Sequence, residues 1–171
     1  MRHRKHAGRP ARLARVRAAA AALAALAAGA AVLVAPPARA ATTCTMNAPS
    51  SMVFGTYDTI NAATSAVTIS VNCTGSGNAA PTVTATAGGG TFANRLMTRT
   101  GDTQTLGYNL YVDNAHTSIW GDGTSGTSTI SWGKITGGGT FSATVYGLIR
   151  GGQNAVPGSY ADRNIMILFN Y

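Results

Sequence analysis

The C-terminal run, residues 156–171, constrains the fold of this chain more than any other stretch. After a Pro-Gly turn the chain is apolar on both sides when it is drawn as a strand, with Ile165, Ile167 and Phe169 on one side and Met166 and Leu168 on the other. Strands that are apolar on both faces belong inside a structure that covers both of them. The sequence ends at Tyr171 with no residue left to form a neighbouring strand. We therefore expect an incomplete sheet that a partner completes.

Short alternating segments fill the chain before this run, and clusters of Gly, Thr, Ser and Asn separate them. Alternation of apolar and polar residues predicts half-buried strands, and no stretch beyond the first forty residues has helical apolar spacing of useful length. The predicted architecture is an all-β antiparallel sandwich. Strands before the closing one are predicted at Ser51–Tyr57, Ala66–Cys73, Thr82–Ala87, Leu106–Val112 and Phe141–Ile149.

The N-terminus is typical of a secretory signal. A basic stretch to Arg17 precedes an apolar run at 18–35, and Ala38-Arg39-Ala40 forms a cleavage site before Ala41. An uncleaved membrane anchor is the alternative, since the apolar run reaches the lower limit for a membrane span. Most of that run is alanine, a weak hydrophobe, so cleavage is favoured over stable membrane insertion. We predict a signal peptide at 1–40 and one exported domain at 41–171.

The positive charge of the chain lies in the predicted signal peptide. The sequence has 13 basic and 5 acidic residues, but only five of the basic ones lie beyond residue 40. The predicted mature domain therefore has no net charge. This excludes a nucleic-acid-binding function that the high isoelectric point alone would favour.

The two cysteines, Cys44 and Cys73, both lie in the predicted exported part. An even number of cysteines in an oxidising compartment favours one disulfide over two free thiols. The chain-entropy relation gives such a bond about 3.5 kcal/mol of stabilisation. Neither cysteine has a second cysteine or a histidine nearby in sequence, so a zinc site has no support.

Catalytic chemistry has little support in the residues of the mature domain. The domain contains no glutamate and one histidine, His116, which lies three residues after Asp113 in a turn-rich stretch. A Ser-His-Asp combination of this kind arises readily by chance in a serine-rich chain. Asp122 in a Gly-Asp-Gly turn matches no dense calcium loop. We predict no enzyme activity, no catalytic residue, no metal and no cofactor.

Two tryptophans leave a second kind of function open. Trp120 and Trp132 flank a Gly/Ser/Thr-rich segment and would suit an exposed adhesive face, although burial in a small β core is equally compatible with them. The alternative hypothesis is thus a self-contained secreted coat or carbohydrate-binding module. It predicts a stable monomer when the chain is expressed alone.

Several segments together resemble the spore coat protein U domain, the subunit family of archaic (Csu-type) chaperone–usher pili. The resemblance covers essentially the whole mature chain and rests on the order and spacing of the segments together with the two cysteines. Those segments are Phe54-Gly55-Thr56-Tyr57, Ile69-Ser70-Val71-Asn72-Cys73, Arg95-Leu96-Met97, 106–113 (LGYNLYVD), Trp120-Gly121-Asp122-Gly123, 145–149 (VYGLI) and 157–162 (PGSYAD).

The resemblance implies an incomplete immunoglobulin-like antiparallel β-sandwich lacking its last strand. A periplasmic chaperone would first lend a strand, a neighbouring pilus subunit would replace it, and an outer-membrane usher would export the fibre, which would serve adhesion and biofilm formation. The expected location is the periplasm and then the cell surface. Candidates for the acceptor groove are Val53, Phe54, Ile165, Ile167 and Phe169. Which face of the last strand lines that groove stays open, because both faces are apolar.

One departure from the family pattern concerns the donor segment. A rod subunit should carry such a segment before its first cysteine, but cleavage after Ala40 leaves only Ala41-Thr42-Thr43. Earlier cleavage would retain Val32-Leu33-Val34, which Pro36-Pro37 interrupts, and proline cannot donate to a sheet ladder. We therefore expect a subunit that accepts a strand without donating one, at a terminal position such as the fibre tip.

Overall fold

A computed structural model describes residues 41–171, and the predicted signal peptide at 1–40 lies outside the described residues. The described chain contains eleven β-strands and no helix. None of these residues forms a helix long and apolar enough to cross a membrane. The strands are β1 Thr43–Asn47, β2 Ala63–Thr74, β3 Asn78–Ala79, β4 Thr82–Ala85, β5 Arg95–Arg99, β6 Thr105–Tyr111, β7 Ile130–Ser131, β8 Ile135–Thr136, β9 Gly139–Ile149, β10 Tyr160–Ala161 and β11 Ile167–Asn170.

Three antiparallel sheets are formed by these strands. The main sheet has six strands in the order β1-β2-β9-β6-β5-β10, and a smaller sheet has the order β11-β4-β7. β3 and β8 form a two-stranded ribbon. The long β2–β9 pair organises the main sheet, with Ala63 opposite Ile149 and Cys73 opposite Gly139. The all-β antiparallel prediction is confirmed.

The hydrophobic core lies between the main sheet and the smaller one. Ile69, Val71, Val145 and Val83 are fully buried, with 0% of each side chain exposed. In β2 and β9 the buried residues have odd numbers, as the two-residue period of a strand requires. In β11, Ile167 and Phe169 lie opposite Ala85 and Val83 and pack against this core.

The disulfide prediction is confirmed. Cys44 on β1 lies directly opposite Cys73 on β2, and the two sulfurs are 2.08 Å apart. Both side chains are buried. The bond therefore fixes the first strand of the main sheet to the end of the second.

The predicted strands that correspond to β2, β4, β6 and β9 differ from the observed ones by up to three residues at an end, and the first predicted strand is absent. The prediction of a strand at Ser51–Tyr57 is wrong, because this stretch has no hydrogen-bonded neighbour except at Tyr57. The first strand is instead Thr43–Asn47. The closing strand is present but its outer face is uncovered, with Met166 64% and Leu168 48% exposed.

Candidate functional site

An open cavity of about 610 Å³ lies over the inner face of the main sheet. Its floor is formed by apolar side chains of β2, β6 and β9 and by neighbouring buried residues, among them Val67, Ile69, Leu106, Leu110, Val145, Ile149 and Trp120. The sides are formed by two extended stretches of chain, residues 49–57 and 158–167. An apolar floor between two extended segments is the shape that a further strand would fill.

The first side of the cavity ends at Ile165 and Ile167, and Ile167 is the first residue of β11. Exposure alternates along residues 165–170, so that Ile165, Ile167 and Phe169 face the core while Met166, Leu168 and Asn170 face outward. This alternation settles which face of the last strand points inward. β11 is hydrogen-bonded only to β4, and it is therefore an edge strand.

The free edge of β11 carries unpaired backbone groups. Met166 faces the β4 side, because its carbonyl accepts a bond from Thr86 N at 3.0 Å. Since backbone groups of an antiparallel strand alternate in direction, those of Ile167 and Phe169 point away from β4. These groups form a ready template for another strand.

The second side of the cavity is the stretch Ser51–Thr56, which we call the wall segment. Its exposure also alternates, with Met52 and Phe54 inward and Ser51, Val53 and Gly55 outward. No backbone hydrogen bond joins it to any other described residue, and the first such bond comes at Tyr57. The wall segment thus has the side-chain pattern of a strand but lacks a pairing partner.

Tyr57 closes one end of the cavity. Its backbone N–H donates to Gly158 O at 3.1 Å and its carbonyl accepts from Gly158 N at 3.3 Å. The phenol oxygen accepts a bond from Gln153 N at 2.9 Å, and the side chain is 2% exposed. This cross-connection joins the two sides of the cavity at that end.

A polar group borders the cavity beside β10. The Tyr108 hydroxyl donates to Asp162 Oδ2 at 2.8 Å, and Gly89 N donates to the same oxygen at 3.1 Å. Burial, and then the hydrogen bond to Asp162, raise the pKa of Tyr108 well above its usual value. These bonds fix the approach to β11, because Asp162 precedes it by only a few residues.

Arg95 lies fully buried behind Tyr108, with 0% of its surface exposed. Its guanidinium donates to Asn109 Oδ1 at 2.9 Å, to Thr86 O at 2.8 Å and to Trp120 O at 3.0 Å. Burial lowers the pKa of Arg95 from its usual value. The side chain ties β5 to β6 and to two loops, so it is a structural centre of this end of the sandwich.

The sequence-predicted groove residues are distributed unevenly around the cavity. Phe54, Ile165 and Ile167 line it and are partly buried against the core. Val53 lies at its edge with 71% of the side chain exposed. Phe169 packs against the core outside the cavity lining, and its ring stacks on Tyr171 with centroids 5.4 Å apart.

Sequence reasoning missed Met52 and Gly147 at this site. Met52 faces the floor, and a Cβ added at Gly147 would fall within 3 Å of Met52 Sδ and of the Phe54 ring. The signal for Gly147 was its position in the middle of an apolar strand, where glycine often marks a close approach of another segment.

Residues considered for other chemistry lie in local turns. The Asp113 carboxylate accepts bonds from Thr117 N and Ser118 N, which lower the pKa of Asp113. Asp122 Oδ1 accepts hydrogen bonds from the hydroxyl and the backbone N–H of Thr124, and these bonds likewise lower the pKa of Asp122. Within residues 41–171, no three His, Cys, Asp or Glu side chains come together in a metal-binding arrangement.

Comparison with known proteins identifies the family. A family model described as "Spore Coat Protein U domain" matches residues 28–166. The chain belongs to the Spore Coat Protein U domain family. The resemblance drawn from the sequence segments is thereby confirmed, and the matched residues include the wall segment and β1 to β10.

Solved structures are also similar to this Spore Coat Protein U domain, and one of them is a chaperone–subunit complex. It is the CsuC–CsuE chaperone–tip adhesion subunit pre-assembly complex from archaic chaperone–usher Csu pili of Acinetobacter baumannii, with 19% sequence identity and a TM-score of 0.49. The match covers 77% of this chain and 40% of the chain in that complex. No curated protein matches the sequence.

Proposed function

We propose that this Spore Coat Protein U domain is an exported subunit of a chaperone–usher surface pilus that accepts a strand from another polypeptide. One observation carries the proposal: two strand-like segments, β11 and the wall segment, border an apolar-floored cavity and both have unpaired backbone groups. A strand inserted between them would satisfy both edges and bury its alternate side chains on the floor.

The physical driving force for this insertion is apolar burial together with backbone pairing. Each large apolar side chain that a donor buries contributes about 1.5–3 kcal/mol, so three or four such side chains give a tightly held complex. Ile165 and Ile167 would complete their own burial against the donor. The cavity, with a volume of about 610 Å³, has room for these side chains.

The partners follow from this mode of assembly. A periplasmic chaperone would lend the first strand, a neighbouring subunit would replace it, and an outer-membrane usher would export the product to the cell surface. Adhesion and biofilm formation are the roles that we propose for the assembled fibre. A terminal position such as the tip remains a prediction, since it depends on where the signal peptide is cleaved. Sequencing the mature N-terminus tests it: an apolar segment of ten or more residues before Cys44 would contradict a terminal position.

The alternative, a self-contained carbohydrate-binding module, loses support at Trp120. That side chain is 2% exposed and its indole N–H donates to Val83 O at 3.3 Å. Trp132 is partly buried and its ring lies 6.5 Å from that of Phe141. Trp120 therefore belongs to the core and is not available at the surface for stacking on a sugar.

Periplasmic expression tests the proposed function. Expressed alone, most of the chain should aggregate or be degraded, and only a small soluble fraction should remain for measurements on the isolated chain. Co-expression with a chaperone of the archaic pilus class, or fusion of a donor strand after Tyr171, should give soluble protein. A chain that accumulates as a stable monomer and gains nothing from either partner would overturn the proposal and favour the self-contained module.

A further inference from the structure

Gly147 lies in the middle of β9 with its missing side chain directed at the wall segment. It pairs with Ser65 of β2 and with Leu110 of β6, and it lies between the inward-facing Val145 and Ile149. Any other residue here would direct its Cβ into the space between the two layers. Gly147 does not have a positive φ, so its backbone conformation does not explain the glycine.

The space above Gly147 is filled by the wall segment. A Cβ at this position would lie within 3 Å of Met52 Sδ and of two carbon atoms of the Phe54 ring, Cζ and Cε1. Non-bonded contacts that short are essentially never found for a Cβ atom, so the side chains of Met52 and Phe54 would have to shift. The Phe54 ring is also held edge-on to Tyr108, with centroids 6.2 Å apart, which limits its freedom to move aside.

Contact with the floor is what holds the wall segment in place. Among described residues it has no backbone hydrogen bond, and Met52 and Phe54 are its side chains that pack against the core. A strand inserted beside β11 can also pair with the wall segment only if the two lie about two strand spacings apart, roughly 10 Å. The packing of Met52 and Phe54 against the main sheet therefore determines where the wall segment lies relative to an inserted strand.

We propose that Gly147 is a positioning residue for strand acceptance. Because it has no side chain, Met52 and Phe54 can pack against the main sheet, and this packing places the wall segment where it can pair with the inserted strand. This inference rests on the proposed function. Donor binding then has two separate effects, protection of the backbone amides of β11 and protection of those of the wall segment. Only the second effect depends on Gly147.

The test uses the chain with a donor strand of alternating Val and Thr fused after Tyr171 through a Gly/Ser linker. Amide hydrogen exchange is followed at the wall segment and at β11, in the fused and unfused chains. The variant is Gly147→Ala. The matched control is Gly139→Ala in the same strand, where an added Cβ would meet only Phe141 at an ordinary 3.4 Å.

In the fused wild-type chain we expect at least tenfold slower exchange at both β11 and the wall segment than in the unfused chain. Gly147→Ala should abolish the slowing at the wall segment and retain it at β11, whereas Gly139→Ala should retain both. Equal slowing at both edges in Gly147→Ala would overturn the positioning role and leave the proposed function intact. Loss of slowing at both edges in Gly147→Ala would also overturn it, since that is the result of a general structural defect.

A second pair of variants covers the case in which Gly147→Ala does not fold. Phe54→Ala removes the same contact from the side of the wall segment, and Ile60→Ala changes a side chain outside both the cavity lining and the wall segment, which is 80% exposed. Phe54→Ala should lose the slowing of exchange at the wall segment only, and Ile60→Ala should lose none. Equal behaviour of these two variants would contradict the inference. Absence of any slowing in the fused wild-type chain would refute the proposed function, and this inference with it.

Discussion

Truncating the two faces of the last strand separately should show which face receives a partner. The paired change Ile165→Ala and Ile167→Ala shortens the side chains that line the cavity. The paired change Met166→Ala and Leu168→Ala shortens the outward ones, which are 64% and 48% exposed. The two variants remove apolar groups from the same stretch of chain, so they serve as matched controls for each other.

The expected magnitude follows from partial burial in the free chain. Full burial of an isoleucine contributes about 1.5–3 kcal/mol, and alanine retains only a small part of it. Ile165 and Ile167 are already partly buried against the core, so a donor adds the remaining portion. We take that portion as roughly a third of the full value for each side chain, which gives about 1–2 kcal/mol for the pair.

The assay is urea unfolding of each variant with and without the fused Val/Thr donor strand. A donor of equal length with Ser in place of Val controls for the linker. The quantity of interest is the gain in the free energy of unfolding on fusion. For the inward pair that gain should fall by about 1–2 kcal/mol, and for the outward pair by less than about 0.5 kcal/mol.

Two results would refute this reasoning. Equal losses in the two paired variants would show that the donor does not contact the inward face. An equal gain from the Val/Thr and the Ser donors would show that apolar burial on the cavity floor does not drive the association.

Three further predictions concern the structural frame of the site. Replacing Cys44 and Cys73 by serine should lower the free energy of unfolding by about 3.5 kcal/mol in the fused chain, and a loss below 1 kcal/mol would contradict the chain-entropy account. Arg95→Met should lower the free energy of unfolding by about 2–5 kcal/mol, because buried carbonyl groups lose their hydrogen-bond donor. Arg99→Met in the same strand removes a partly exposed ion pair and should lower it by less than about 1 kcal/mol. Similar losses for both variants would argue against the buried network around Arg95. The raised pKa of Tyr108 contributes stability that is fully present below the ordinary tyrosine pKa of about 10 and is lost as the pH rises further. Tyr108→Phe should therefore reduce the loss of unfolding free energy at alkaline pH. An unchanged loss in the variant would show that Tyr108 ionises freely in the folded protein.

The sequence predicted the strands that have strong alternation and clear partners. Ala66–Cys73 and Phe141–Ile149 fall within β2 and β9, the longest pair of the main sheet. The disulfide between Cys44 and Cys73 was predicted from cysteine number and compartment alone. These features depend on local pattern, and local pattern is what a single sequence contains.

Ser51–Tyr57 shows where local pattern fails. Its alternation is that of a strand, and Met52 and Phe54 do face inward. It forms no strand because no neighbouring segment of the described chain pairs with it. A strand is defined by its partner as well as by its own residues. Val53 was predicted to line the groove without information on which face of this stretch points inward, and its side chain is 71% exposed at the cavity edge.

The inward face of the last strand was equally beyond the sequence. Both faces of residues 165–169 are apolar, so composition could not rank them. Pairing with β4 decides the question, because Ile167 and Phe169 lie opposite the buried Ala85 and Val83. In the sequence Gly147 is only a glycine within an otherwise apolar strand. Its proximity to Met52 and Phe54 results from the packing of segments that are distant in sequence.

The most direct measurement of the central claim is amide hydrogen exchange at Ile167, Phe169 and the wall segment, in the chain alone and with the donor strand fused. The account predicts fast exchange at all of these amides in the chain alone and strong protection when the donor is present, because both edges lack partners until a strand is inserted. Protection of these amides already in the isolated chain would contradict it, since the edges would then be closed by the protein itself.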